Sequence, residues 1–187
     1  MSVERKLKGY LMKAIVKAIK ADKVHEKEYD ELLSDRTKQF LNQRILDSVW
    51  YPWDVYSELY QAIIKIVAKN NPKIVAKWGH DFGEKVVSKF YKNIIDEGNA
   101  IKLAEKYPRF HKMYYNFGSI SHEWISDNEI IYTLNDFDPK FELFFYLNIG
   151  WTQLIFEMCV KKKVNYKFLK KSWKGDDVTQ FKLFWEP

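Results

Sequence analysis

A single cysteine, Cys159, stands in the 187 residues, so no intrachain disulfide can form and a reducing compartment, the cytoplasm, is expected. Five prolines and seven glycines are too few to mark a linker. Sequence strings for a nucleophile elbow, a phosphate-binding loop and a dinucleotide fingerprint are all lacking, which removes the commonest routes to hydrolase, nucleotidase or oxidoreductase chemistry. The amino-terminal stretch is charged throughout, so no signal peptide is expected. Glu142, Asn148, Gln153 and Glu157 interrupt the most apolar run, and no membrane span is expected there.

What the chain does have is apolar and aromatic material. Hydrophobic residues make up 47% and aromatics 17%, including seven Trp, enough to build one domain with a large core. The formal charge of +6 favours acidic partners without saying anything about fold. It is unevenly spread: Lys161, Lys162, Lys163, Lys167, Lys170, Lys171 and Lys174 fall in one stretch with no carboxylate.

Residues 4–21 place Leu7, Leu11, Ala14, Ile15, Ala18 and Ile19 at helical spacing, with lysines on the remainder. A basic amphipathic helix of this kind suits docking on a core or peripheral contact with an anionic membrane. A second helix is expected over 27–41. Pro52 and Asp54 open a third helix, carrying Val55, Leu59, Ala62, Ile63 and Ile66. Asn71 and Pro72 repeat the signal for a fourth, carrying Ile74, Trp78, Phe82, Val86, Phe90 and Ile94. Gly79 and Gly83, one turn apart on it, each cost about 1 kcal/mol of helix propensity and call for a close neighbour in compensation. Gly98 and Asn99 end one helix and start the next, which should break near Pro108 and finish around Phe117.

From residue 118 the period changes to two. Ile120, His122 and Trp124 share a face, Asp127 and Asn128 turn the chain, and Ile130, Tyr132 and Leu134 return. A helix over 141–159 follows, apolar nearly all round, so it must be covered on both sides. Val164, Tyr166 and Phe168, a turn at Gly175 and Asp176, and Phe181, Leu183 and Trp185 make a second hairpin. The layout is α+β: one domain over 1–187, mainly helical over 1–117, then hairpin, helix, hairpin over 118–187, giving a helical layer on a four-stranded antiparallel sheet.

The order of Lys8-Gly9-Tyr10, Trp50-Tyr51-Pro52, the Gly79 to Gly83 helix, and Gly175-Asp176 before Phe181 to Trp185 resembles a domain family of unknown function best known from myxobacteria. That family is similar to a wider group: the vinyl-reductase-like small-molecule-binding domains, the Bet-type subunits of the TRAPP tethering complex, and the heme nitric-oxide-binding domains. The resemblance implies a helical layer against a four-stranded sheet with an apolar cavity between them, dimerisation through helices, and binding rather than turnover. It stops at three points. The cysteine cluster of the vinyl-reductase-like domains is absent, the Tyr-x-Ser-x-Arg signature of the heme-binding relatives does not occur, and no cysteine lies in the helical layer to hold an acyl chain as in TRAPP subunits.

Candidate chemistry is correspondingly sparse. His80 and Glu84 are one turn apart, too few for a metal; Cys159, flanked by Met158 and Val160, reads as a small buried hydrophobe. Tyr166, Phe168 and Trp173 alternate with lysines, a mix that stacks bases, but the same alternation is what a half-buried strand needs, so nucleic acid is disfavoured. The reading is a non-catalytic binding or adaptor module, without cofactor or metal, for an apolar small molecule, a lipid or a protein partner. Trp78, Phe82, Trp124, Phe145 and Trp151 are the expected pocket lining. Gly79, Gly83 and Gly150 are the expected close-approach interface, in a chain expected to form homodimers. The alternative is a ligand-free scaffold of the tethering-complex kind.

Overall fold

Lys6–Lys8 does not enter the first helix. It forms β1, which pairs antiparallel with β2 (Trp50–Pro52), setting Lys8 opposite Trp50. The Lys8 ammonium lies 4.0 Å from the centre of the Trp50 ring, so two of the sequence's short motifs are held together by a cation–π contact. Gly9 follows because nothing larger fits: a β-carbon there would stand 2.0 Å from the Leu46 carbonyl oxygen. The computed structural model describes residues 4–90, 95 and 98–187, with positions 85–90 as backbone only. Val86, Phe90 and Ile94, assigned above to an apolar helix face, lie outside the described side chains.

Two units divide the chain: residues 1–71 with 112–117, and residues 72–111 with 118–187. In the first, α1 (Gly9–Ala21) buries Met12, Ile15, Val16 and Ile19, while Ala18 is exposed. The buried stripe is therefore turned from the expected one, because the helix starts only after β1 and takes its register from Gly9. The expected second helix is two, α2 (Glu26–Leu32) and α3 (Asp35–Asn42). Ser34 breaks the run by capping α3, its hydroxyl accepting from the Thr37 amide. Pro52 stands just before α4 (Trp53–Ile66) rather than inside it. In the same unit Trp53 packs edge-on to Phe117 at 4.9 Å, and Asn116 accepts from the Lys6 amide.

The second unit holds α5 (Pro72–Phe90), most of α6 (Ala100–Tyr114), β3 (Ser119–Ser126), β4 (Glu129–Asn135), α7 (Glu142–Val160), β5 (Val164–Lys170) and β6 (Thr179–Trp185). Asn99 caps α6 through the Lys102 amide. The helix runs through Pro108 instead of breaking there: a proline removes one backbone bond, and burial of Tyr107 and His111 on either side holds the turn. The sheet order is β3-β4-β6-β5, all antiparallel, the two expected hairpins being joined through β4 and β6. Helices and an antiparallel sheet in layers make the class α+β.

The apolar helix α7 is covered on both sides, as its composition requires. Phe156 meets Tyr132 and Trp185 of the sheet, while Gly150 and Trp151 meet α5 on the other flank. Its polar residues are satisfied: Asn148 donates to the Phe144 carbonyl, Thr152 to the Asn148 carbonyl, and Gln153 to the Val164 carbonyl. By length and composition alone α7 would be apolar enough to cross a membrane, but 50% of its most apolar window is buried within the fold, the position of a core helix.

Candidate functional site

The α7-facing side of the sheet carries the one place in the second unit where buried polar atoms lack partners among the described residues. Cross-strand register sets His122 opposite Tyr132 and Trp124 opposite Ile130, all on this face. Tyr132 is fully buried, packed against Tyr107 at 5.1 Å, Phe181 at 5.6 Å and Phe156 at 6.0 Å between ring centres. Its hydroxyl has no hydrogen-bond partner, and neither does the buried indole N–H of Trp124.

A contrast with Tyr107 shows what is unusual. The Thr152 hydroxyl spends its proton on the Asn148 carbonyl at 2.7 Å, so in the Tyr107–Thr152 contact it is Tyr107 that donates. Tyr107 is thereby satisfied. Tyr132, 6.0 Å from the His122 ring, is not. Burial, reinforced by Tyr107, pushes the Tyr132 phenol well above its usual range, so it stays protonated and acts as a donor. An indole nitrogen can only donate. The face thus offers two hydrogen-bond donors in aromatic surroundings, beside β3, where His122 and Trp124 are only half-buried.

The five expected pocket residues fall into three groups. Phe82 and Trp151 meet at 6.0 Å where α5 crosses α7, with half-buried Trp78 one turn earlier on α5. Phe145 stacks on Trp173 at 5.0 Å beneath the turn that follows β5. Trp124 lies edge-on to Trp185 at 6.1 Å at the far end of the sheet. Of the five, only Trp124 belongs to the donor-bearing face. Gly79 and Gly150 approach each other's helix within the chain, and Gly83 lies under Leu154 and Trp151. Tyr132, Tyr107 and Thr152 were not singled out by the sequence. The alternation that buries Tyr132 is visible in it, whereas a missing acceptor is not.

Other candidates are occupied or inert. His80 Nε2 lies 3.4 Å from Glu157 Oε2, while Glu84 is exposed, and no group of three potential metal ligands occurs among the described residues. Burial raises the Cys159 thiol above its usual range, against a smaller opposing pull from Lys161, so it is not an activated nucleophile.

No protein-family model matches the sequence, and no curated protein matches it. Solved structures do. An H-NOX protein from S. oneidensis in the Fe(II)NO state superposes with a TM-score of 0.67 at 11% identity, over 96% of this chain and 99% of that one. Unliganded Fe(II) H-NOX from K. algicida gives 0.68 at 11%, over 96% and 97%. An oxygen-binding H-NOX domain related to soluble guanylate cyclases, in its oxygen complex, gives 0.63 at 10%, over 96% and 95%. The chain has the fold of the H-NOX domains.

A heme is what that fold implies, and the residues present do not fit one. His25 is clamped by Asp22 at 2.8 Å, His80 is shared by Glu157 and Asp81, His111 is buried edge-on to Phe137, and His122 stands on β3 across from Tyr132. The sole cysteine is a protonated thiol. None of the twelve tyrosines is followed by Ser and Arg at the signature spacing; after Tyr132 those places hold Leu134 and Asp136, and an acid there would repel a propionate.

Proposed function

We propose that the chain is a non-catalytic, heme-free ligand-binding module that takes an apolar small molecule carrying a hydrogen-bond acceptor, such as a carbonyl or ether oxygen, against Trp124 and Tyr132. The reading rests on one observation: two buried donors on one aromatic face, without acceptors. An unmet buried donor costs about 1–3 kcal/mol, which an acceptor on a ligand would recover. The H-NOX neighbours are described with nitric oxide or oxygen bound, so the fold is one that receives small molecules. Membership of the myxobacterial-type domain family, through the Lys8-Gly9-Tyr10 and Trp50-Tyr51-Pro52 motifs, and a cytoplasmic location belong to the same reading.

Three measurements test it. Native mass spectrometry of the purified chain, compared with a denatured sample, should show an added small mass; titration with a medium-chain methyl ketone should change the tryptophan emission saturably. Hemin should bind without the sharp Soret band of an axially ligated iron. A clean apo mass together with no response to ketones removes the ligand-binding reading and leaves the scaffold alternative.

A further inference from the structure

β5 is an edge strand, last in the order β3-β4-β6-β5. The directions of its backbone groups follow from its partners. Trp185, opposite Val164, turns its amide to the Asn128 carbonyl and its carbonyl to the Asn128 side chain, so this pair exchanges no ladder bonds. Val164 correspondingly directs its N–H to Glu157 at 3.1 Å and its carbonyl to Gln153 at 2.6 Å, both on α7. Alternation then points the N–H and C=O groups of Tyr166 and Phe168 the same way, outward from β6, until the irregularity between Phe168 and Lys170. Beyond Val164, no strand of the described fold continues the ladder.

The charge along this edge is of one sign. Residues 161–174 hold seven lysines and no carboxylate. Lys170 is paired with Asp177 at 3.2 Å and Lys162 reaches the Glu186 carbonyl, but Lys161, Lys163, Lys167 and Lys174 are exposed and make no ion pair among the described residues. Lys167 also stands opposite Lys182, whose charge is already answered by Glu129 at 2.9 Å. Such lysines oppose pairing with a second copy of the same edge and favour an acidic strand. The rings of this segment are not presented for base stacking, since Phe168 is engaged by Trp173 at 5.0 Å and by Tyr146 at 5.2 Å.

We infer that the outer edge of β5 is a docking strand for an extended, acidic segment of a protein partner, which adds to the sheet through the backbone of Tyr166 and Phe168 and is selected by Lys163 and Lys167. The site is separate from the donor-bearing face around Tyr132.

The probe is a fluorescent octapeptide alternating glutamate and valine, with its lysine counterpart as control, read by anisotropy and by hydrogen exchange at the Tyr166 and Phe168 amides. The acidic peptide should bind and slow exchange at both amides, and binding should weaken with added salt and by about tenfold in Lys167→Glu. Lys167→Met, which keeps the stem, should weaken it less. The proposal is overturned by absence of binding, by binding that leaves both amides unprotected, or by equal affinity for the lysine peptide. Attachment to phosphatidylserine vesicles or oligothymidylate without attachment to the peptide also overturns it.

Discussion

Gly79 and Gly150 face each other's backbones across the crossing of α5 and α7. A β-carbon on Gly79 would sit 2.0 Å from the Leu147 carbonyl oxygen, and one on Gly150 would sit 1.8 Å from that of Ala76. The contact is reciprocal, backbone on backbone, and neither helix can yield without moving as a whole.

Gly79→Ala and Gly150→Ala should therefore each destabilise the fold by about 1–3 kcal/mol, even though alanine is the better helix former by about 1 kcal/mol. Gly83→Ala should cost less, because the atoms nearest its would-be β-carbon are the Leu154 methyl at 2.8 Å and the Trp151 ring at 3.1 Å, side chains that can shift. Urea denaturation at constant m-value gives the ranking. Equal costs at positions 83 and 150 would mean that the two helices are not in backbone contact.

Glu58 ties α3 to α4, accepting from the Ser34 amide, the Ser34 hydroxyl and the Thr37 hydroxyl. Partial burial would raise its pKa, but these bonds outweigh burial and hold it below the ordinary 4.5. A carboxyl depressed in the folded state stabilises above its unfolded pKa, and that stability is lost as pH falls through the folded value. Glu58→Gln should cost about 1 kcal/mol at neutral pH, partial exposure limiting the loss, and the gap to the wild type should close in acid below 4.5. Denaturation midpoints across that range measure it; a gap that is constant with pH would show that the charge contributes nothing.

Periodicity carried most of the second unit. The alternation at 120–124, 130–134, 164–168 and 181–185 gives the strands, and a helix with no wet face has to lie between layers. Local patterning failed where a partner distant in sequence decided the outcome. Lys6–Lys8 reads as helix until Trp50–Pro52 pairs with it, and Pro108 reads as a break until burial of Tyr107 and His111 holds the turn. The aromatic residues were recognisable as interior, but which of them meet depends on helix rotation: Phe145 and Trp151 share a helix yet contact Trp173 and Phe82 respectively. Whether a buried hydroxyl finds an acceptor is a property of three dimensions alone, which is why Tyr132 reads in the sequence as an ordinary strand residue.

Cys159 should resist alkylation in the folded chain. It is 2% exposed, and burial keeps its thiol protonated, so iodoacetamide must wait for opening. Labelling at mildly alkaline pH should run about a thousandfold slower than in urea, tracking the unfolded fraction. Labelling at the rate of a free thiol would place Cys159 at the surface and would also reopen its use as a nucleophile.

Two buried tyrosines on neighbouring elements should respond differently to loss of the hydroxyl. Tyr107→Phe removes the donor that meets Thr152 and should destabilise the ligand-free chain by about 1 kcal/mol. Tyr132→Phe removes a buried hydroxyl with no partner while keeping the ring that packs on Phe181, so the ligand-free chain should be unchanged or up to about 1 kcal/mol more stable. An acceptor-bearing ligand favours the wild type over Tyr132→Phe, because binding raises Tm through the affinity of the folded state and the variant has lost one of two donors. Tyr132→Phe should then show a smaller rise in Tm than the wild type at the same ligand concentration, with Trp124→Phe behaving alike. If Tyr132→Phe is less stable than the wild type without ligand, its hydroxyl already has an acceptor inside the protein, and the donor-bearing face has nothing left to offer a ligand at that position.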